Sequence, residues 1–188
     1  MRKVIMFNLI TVDGFFEGAN KGDIGWHQVD KDFNEFAINQ LDQAGGLIFG
    51  RVTYQGMAAY WPTPTGQQDD PQVAALMNSI AKFVFTKSLD YLEWNNSQLI
   101  KGDAGEELKK IKNQPGKDLF IFGSANLSST FTHHGLIDEY RLIVNPVVLG
   151  KGNPVFNGNK ETLKFNLTDL KIFHNGNVLL YYQPVKQA

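Results

Sequence analysis

The chain has 188 residues, a formal net charge of −1, 43% hydrophobic and 20% charged residues, and no cysteine. That length falls within the range of one domain, and the apolar content, with fourteen Phe, excludes a disordered or fibrous chain. The near-zero charge excludes a general field toward phosphate backbones or anionic lipid, and the lack of cysteine excludes disulfides, thiolate nucleophiles and Cys-based metal sites. No apolar run approaches the roughly 20 residues that span a bilayer. The expectation is one cytoplasmic domain over residues 1–188, without a nucleic-acid, membrane or metal partner.

In chain order, residues 3–12 read as a first strand, apolar on both faces, which Asp13-Gly14 ends. A loop from Asp13 to about Gln28 holds Gly14, Gly18, Gly22 and Gly25 beside Phe15, Phe16, Ile24 and Trp26, the make-up of a mobile flap with an apolar underside. Asp30 caps a helix with Phe33, Phe36, Ala37 and Leu41 at helical spacing, ending at Gly45-Gly46. Leu47 to Phe49 is a short buried strand, and Gly50 turns it into a helix from Arg51 to about Tyr60, stopped by Pro62 and Pro64. Asp70-Pro71 starts another helix, and Phe83 to Thr86 forms the next strand. Ser97–Ile100 reads as a strand, Ala104–Lys112 as a helix, Leu119–Phe122 as a buried strand and Ala125–His133 as a short helix. Residues 139–148, 164–174 and 178–185 are strand-like, the last two joined by the hairpin signal Asn175-Gly176. This order predicts an α/β domain whose mixed, mostly parallel sheet is flanked by helices and closed by an antiparallel C-terminal hairpin.

Three strand ends carry residues suited to phosphate. After Leu47–Phe49 come Gly50, Arg51 and Thr53 at a helix start, where unpaired N–H groups and a partial positive charge favour anions. Gly123-Ser124-Ala125-Asn126 follows a second strand with small side chains, and Thr86-Lys87-Ser88 ends a third with donors and one positive charge. Ligands of open α/β sheets sit beyond the carboxyl ends of the strands, so the three clusters together favour a nucleotide. A capped turn with a surface arginine is the plain alternative for the first alone. No G-x-G-x-x-G follows the first strand, no Walker A sequence is present, and Ser124 lacks the second Gly of a G-x-S-x-G elbow. His133 and His134 are adjacent and cannot face one metal from a helix, while His27 and His174 have no partner visible in sequence.

The segments Thr11-Val12-Asp13-Gly14, Phe49-Gly50-Arg51-Val52-Thr53-Tyr54, Phe122-Gly123-Ser124, Gly135 to Glu139 and Pro146 to Gly152 resemble the dihydrofolate-reductase-like superfamily. Within it the chain is most similar to the reductase domain of bacterial riboflavin biosynthesis, in stand-alone form. The resemblance spans nearly the whole chain and implies an NADPH-dependent reductase of a small pteridine- or pyrimidine-like heterocycle. It places cofactor phosphates at Gly50, Arg51 and Thr53, the adenosine 2′-phosphate at Thr86, Lys87 and Ser88, and the pyrophosphate along Gly123, Ser124, Ala125 and Asn126. The family's usual Gly-Gly is Gly123-Ser124 here. Asn8, Leu9 and Phe16 are expected beside the nicotinamide, and Trp26, Asp32, Phe36 and Tyr54 around the substrate. Asp32 matches the acid that anchors the pterin in dihydrofolate reductases, or serves as first-turn dressing that complements the helix dipole. A non-catalytic nucleotide-binding or ligand-sensing domain of the same fold is the alternative. A homodimer through the C-terminal strands is expected, because Phe165, Ile172, Phe173, Leu179, Tyr181 and Tyr182 exceed what one sheet face requires.

Overall fold

Val4–Thr11 shows no alternation of apolar and polar residues, and the computed structural model gives the reason: this strand, β1, lies inside an eight-stranded sheet with both faces covered. The structure describes residues 1–158 and 161–185. After β1 come β2 (Phe15–Glu17), α1 (Lys31–Asp42), β3 (Gly46–Gly50), α2 (Arg51–Ala58), α3 (Pro64–Asp69), α4 (Pro71–Ser79) and β4 (Lys82–Phe85). Then follow β5 (Ser97–Ile100), α5 (Ala104–Lys112), β6 (Leu119–Phe122), α6 (Ala125–His133), β7 (Glu139–Asn145), β8 (Asn153–Pro154), β9 (Phe165–Ile172) and β10 (Val178–Pro184).

The main sheet runs β5-β4-β3-β6-β1-β7-β10-β9, and β2 pairs with β8 in a second, two-stranded sheet. Every contact from β5 across to β7 is parallel, whereas β10 is antiparallel to both β7 and β9. Because side chains alternate along each strand, the core divides into two layers. Ile5, Leu47, Phe49, Val84, Phe120 and Leu179 pack with Phe36 and Leu41 of α1, Tyr54 of α2 and Met77 of α4. Met6, Ile48, Phe83, Phe85, Ile121 and Leu142 pack with Leu108 and Ile111 of α5 and Phe131 of α6. The sheet is thus mixed and mostly parallel with helices on both faces, as the element order predicts. No helix among the described residues is long and apolar enough to cross a membrane.

The structure departs from the sequence reading in three places. Pro64, expected only to stop a helix, is the first residue of α3 under a Thr63 cap, a position where the missing N–H costs nothing. The strand expected over 139–148 ends at Asn145, since Pro146 offers no N–H to a neighbour. The loop after β1 is secured at its base: β2 pairs with β8, Val155 N donates to Gly14 O at 3.0 Å, and Gly18 N donates to Asp23 O at 2.8 Å.

Candidate functional site

Because β1, β3, β4 and β6 are mutually parallel through their neighbours, their carboxyl ends share one edge of the sheet, and there two helices begin without a side-chain cap. Elsewhere Asp30, Thr63, Asp70 and Asp103 each accept a first-turn amide of α1, α3, α4 and α5. The contrast is chemical: four helix starts each satisfy one orphan donor with their own cap side chain, while α2 and α6 leave first-turn amides and the positive dipole end available to an anion. The two open starts are fastened together. Ser124 Oγ accepts from Gly50 N at 2.8 Å and donates to Thr53 Oγ1 at 2.9 Å. A Cβ at Gly50 would stand 2.9 Å from that Oγ, and Gly123, at φ +64°, would bring a Cβ to 3.2 Å from Thr53. Both glycines permit a backbone approach that larger residues would block.

The remaining phosphate candidates divide by exposure. Arg51 is exposed and donates to Gln55 Oε1 at 3.0 Å across one helical turn. Lys87, Ser88 and Asn126 are exposed, and Ala125 is half-buried. Thr86 is buried, and its hydroxyl accepts from Ser88 N at 3.2 Å and Leu89 N at 3.3 Å. It therefore shapes the turn after β4 and leaves Lys87 and Ser88 as that turn's outward donors. Thr53 and Ser124 likewise contribute first to the junction of α2 with α6.

A notch opens beside these helix starts. The register of β1 with β6 ends at Phe7↔Phe122, but that with β7 runs on to Thr11↔Asn145, so Asn8–Thr11 has no strand neighbour on its β6 side. Asn8 shares the α5–α6 face of the sheet with Met6, and Phe16 packs against the same layer, whereas Leu9 belongs to the α1–α2 layer. The three nicotinamide candidates therefore flank the notch from opposite faces. A feature missed in the sequence holds its rim: the Asp13 carboxylate accepts from Thr11 Oγ1 at 2.6 Å, Gly150 N at 2.8 Å and Leu149 N at 3.3 Å. The Thr11 hydroxyl bond, more than the amides, keeps the Asp13 pKa below the usual carboxylate value. The Thr11–Gly14 and Pro146–Gly152 motifs are thus the two halves of one latch, detectable in sequence only as a pair of Asp-Gly and Gly-x-Gly signals.

The four substrate candidates are not brought together as one polar wall. Tyr54 is buried, and its hydroxyl accepts from Trp94 N at 3.0 Å. Phe36 is buried against Phe7 and Phe173, at centroid distances of 5.9 Å each. Trp26 is half-buried; its Nε1 donates to Asp23 O at 3.2 Å and its ring meets His27 edge-on at 4.4 Å. Asp32 pairs with Nδ1 of His174 at the β9–β10 turn. That hydrogen bond lowers the Asp32 pKa and raises that of His174. This contact ties the first turn of α1 to the β9–β10 turn. His27 Nε2 is buried without a partner, and burial lowers its pKa to about 4. Among the described residues no group of three His, Cys, Asp or Glu is placed to hold a metal.

A mostly parallel sheet with one reversed strand next to its C-terminal edge, and a latched loop over the end of β1, is the dihydrofolate-reductase-like architecture. The chain belongs to the RibD C-terminal domain family, whose model matches residues 2–181. It is 33% identical over 183 residues to the uncharacterized protein YyaP of Bacillus subtilis (strain 168), covering 96% of this chain and 94% of that one. Among solved structures it resembles a diaminohydroxyphosphoribosylaminopyrimidine deaminase/5-amino-6-(5-phosphoribosylamino)uracil reductase from Thermotoga maritima, with TM-score 0.69 and 17% identity, covering 98% of this chain and 57% of that one. It also resembles dihydrofolate reductase from Enterococcus faecalis complexed with NADP(H) and RAB-propyl, with TM-score 0.66 and 14% identity, covering 98% and 97%.

Proposed function

We propose that this protein is an NADPH-dependent reductase of a small pteridine- or pyrimidine-like heterocycle. The observation that carries the reading is the pair of uncapped, mutually fastened helix starts at Gly50 and Ser124, at the one edge where parallel strands end. The pyrophosphate lies against the first-turn amides of α2 and α6, where Gly50 and Gly123 leave room. Arg51, Lys87 and Ser88 meet the 2′-phosphate, and Thr86 fixes the turn that presents the last two. When bound, the cofactor supplies the hydride. The chain orients the nicotinamide in the notch beside Asn8–Thr11, with Leu9 on one face and Asn8 and Phe16 on the other, and the latched flap bearing Trp26 excludes water from it. The names of the Thermotoga and Enterococcus proteins, a uracil reductase and a dihydrofolate reductase, support this substrate class.

One observation favours the second reading, a nucleotide-binding or sensing domain without turnover: His174 holds Asp32 as a carboxylate and Tyr54 is buried at 4% exposure, so neither is a ready proton source. Titrating the purified protein into NADPH while following cofactor fluorescence, then NADPH absorbance with a panel of pterins and aminopyrimidines, separates the two. Binding with consumption supports the reductase, binding without consumption of any panel member supports the sensor, and no change in fluorescence overturns both.

We further propose a cytoplasmic homodimer joined through the C-terminal strands. Leu167, Leu170 and Ile172 of the edge strand β9 are 50–69% exposed on one face. They, with Ile172 alone of the six residues expected from the sequence, supply the apolar surface. Phe173 and Leu179 are buried, and Phe165 and Tyr182 close an aromatic cluster with Tyr140 and Phe156.

A further inference from the structure

At the opposite end of the sheet from the helix starts, a cleft of about 420 Å³ lies between the last turns of α1 and the first residues of β1, β6 and β7, with β10 beside it. Its walls are aromatic: Phe36 from α1, Phe120 from β6 and Tyr181 from β10. In it stands Arg141 of β7, whose guanidinium is fixed on two edges. Nε donates to Glu139 Oε1 at 2.6 Å, and Nη1 donates to Gln40 Oε1 at 3.0 Å. The Phe120 and Tyr181 rings face the same group, at 5.3 and 5.1 Å from its central carbon. Among the described residues nothing accepts a hydrogen bond from Nη2, and nothing meets the Tyr181 hydroxyl. Burial raises the Tyr181 pKa, which keeps the hydroxyl protonated and able to donate.

Two unused donors, one on a guanidinium fixed by Glu139 and Gln40, in an aromatic slot are matched by a carbonyl oxygen on a flat ring. Charge decides the ligand's own state. Glu139 already neutralises Arg141, and Asp118, whose Oδ1 accepts from Lys3 N at 2.8 Å, adds a second carboxylate to the cleft. Arg2 acts on Asp118, and Lys171, 6.0 Å over the Phe36 ring, stands against Asp169 near Tyr181, so an anion entering here finds no surplus positive charge, whereas a neutral lactam presents its carbonyl to Arg141 and Tyr181 and its N–H to the carboxamide of Asn39 or to Asp118. We propose that this cleft is a second binding site, separate from the strand-end site, for an uncharged heteroaromatic lactam or amide. The proposal does not depend on the cofactor reading above, because it uses none of the cofactor residues and shares only Phe36 with the substrate candidates.

The test is amide NMR of the labelled full chain, with uracil as the neutral probe and benzoate as the anionic one. Uracil is expected to shift the amides of Asn39 to Gln43, Phe120, Arg141 and Tyr181 saturably, with benzoate at least about tenfold weaker. Tyr181→Phe keeps the ring over Arg141 and removes only an unpartnered hydroxyl, so the fold survives. It should weaken uracil about 3–10-fold, the value of one hydrogen bond. Asn39→Ala provides a second exposed variant expected to weaken uracil without altering the fold. Shifts confined to Gly50–Thr53 and Gly123–Asn126, no saturable shifts, stronger binding of benzoate, or uracil affinity unchanged in both variants would each overturn the proposal.

Discussion

Tyr54→Phe separates a core role for this tyrosine from a substrate-binding one. The side chain is 4% exposed, its ring lies 6.1 Å from that of Trp94, and Trp94 in turn stacks on Phe49. The hydroxyl accepts from Trp94 N in a fully buried hydrogen bond of 3.0 Å. Removing the oxygen preserves the aromatic packing and leaves one backbone N–H desolvated without an acceptor, which costs about 1–3 kcal/mol. For a chain of this size each kcal/mol moves the melting midpoint by about 2–4 °C, so the drop is about 2–12 °C. Calorimetric melts of wild type and variant at one concentration and neutral pH measure it. NADPH affinity should be unchanged, because Tyr54 faces the α2 side of the core and not the helix starts. A variant that melts with the wild type but has an impaired KM for the heterocycle would refute the core assignment and return Tyr54 to the substrate wall.

Three further outcomes are expected. His27, held near pKa 4 by burial against 6.5 when exposed, is native only as the neutral ring, while the unfolded chain takes up a proton below about pH 6.5. Stability is therefore lost as pH falls from about 6.5 toward 4; urea midpoints at pH 7 and 4.5 should show wild type losing about 2–3 kcal/mol more than His27→Gln, and equal losses would contradict the buried-neutral assignment. His174 should titrate above its ordinary midpoint by NMR and return toward it in Asp32→Asn; the hairpin-turn contact is present at lower pH and is lost as pH rises through the His174 midpoint, so an unaltered midpoint in the variant removes the ion pair from the account. Light scattering at micromolar concentration should give about twice the 21.1 kDa chain mass, falling to one chain in Ile172→Glu, and a monomeric wild type would contradict the dimer.

The parts of the fold legible in the sequence are those fixed by local chemistry. Asp30 and Asp70 announce their helices because the caps act over three residues, and Asn175-Gly176 announces its hairpin because Gly176, at φ +86°, sits where a side chain would strain the turn. Phe49-Gly50-Arg51 and Phe122-Gly123-Ser124 are legible for the same reason: each is a strand meeting a helix through glycine. What is not legible depends on partners far away in the chain. The two-stranded sheet of β2 and β8 joins residues about 140 positions apart and gives neither segment a strand pattern of its own. Asp13 reads as a turn residue until Leu149 and Gly150 reach it, and Tyr54 reads as a site residue until Trp94 claims its hydroxyl. Leu167 shares a face with Leu170 and Ile172 only because the register shifts between Tyr181 and Tyr182, which alternation along β9 does not show.

The most direct test of the central claim is calorimetric titration of the protein with NADPH and with NADH. The cofactors differ only in the 2′-phosphate, and that group is assigned to Arg51, exposed at the uncapped start of α2, and to Lys87, exposed in the turn after β4. A charge-assisted contact contributes about 1.5–3 kcal/mol, and exposure favours the lower end, so one retained contact corresponds to about a tenfold preference. NADPH is expected to bind at least about tenfold more tightly than NADH, with Arg51→Ala or Lys87→Ala removing much of the difference and leaving NADH affinity nearly unchanged. Equal affinity for the two cofactors, or no heat with either, would contradict the assignment of this edge of the sheet as an NADPH site.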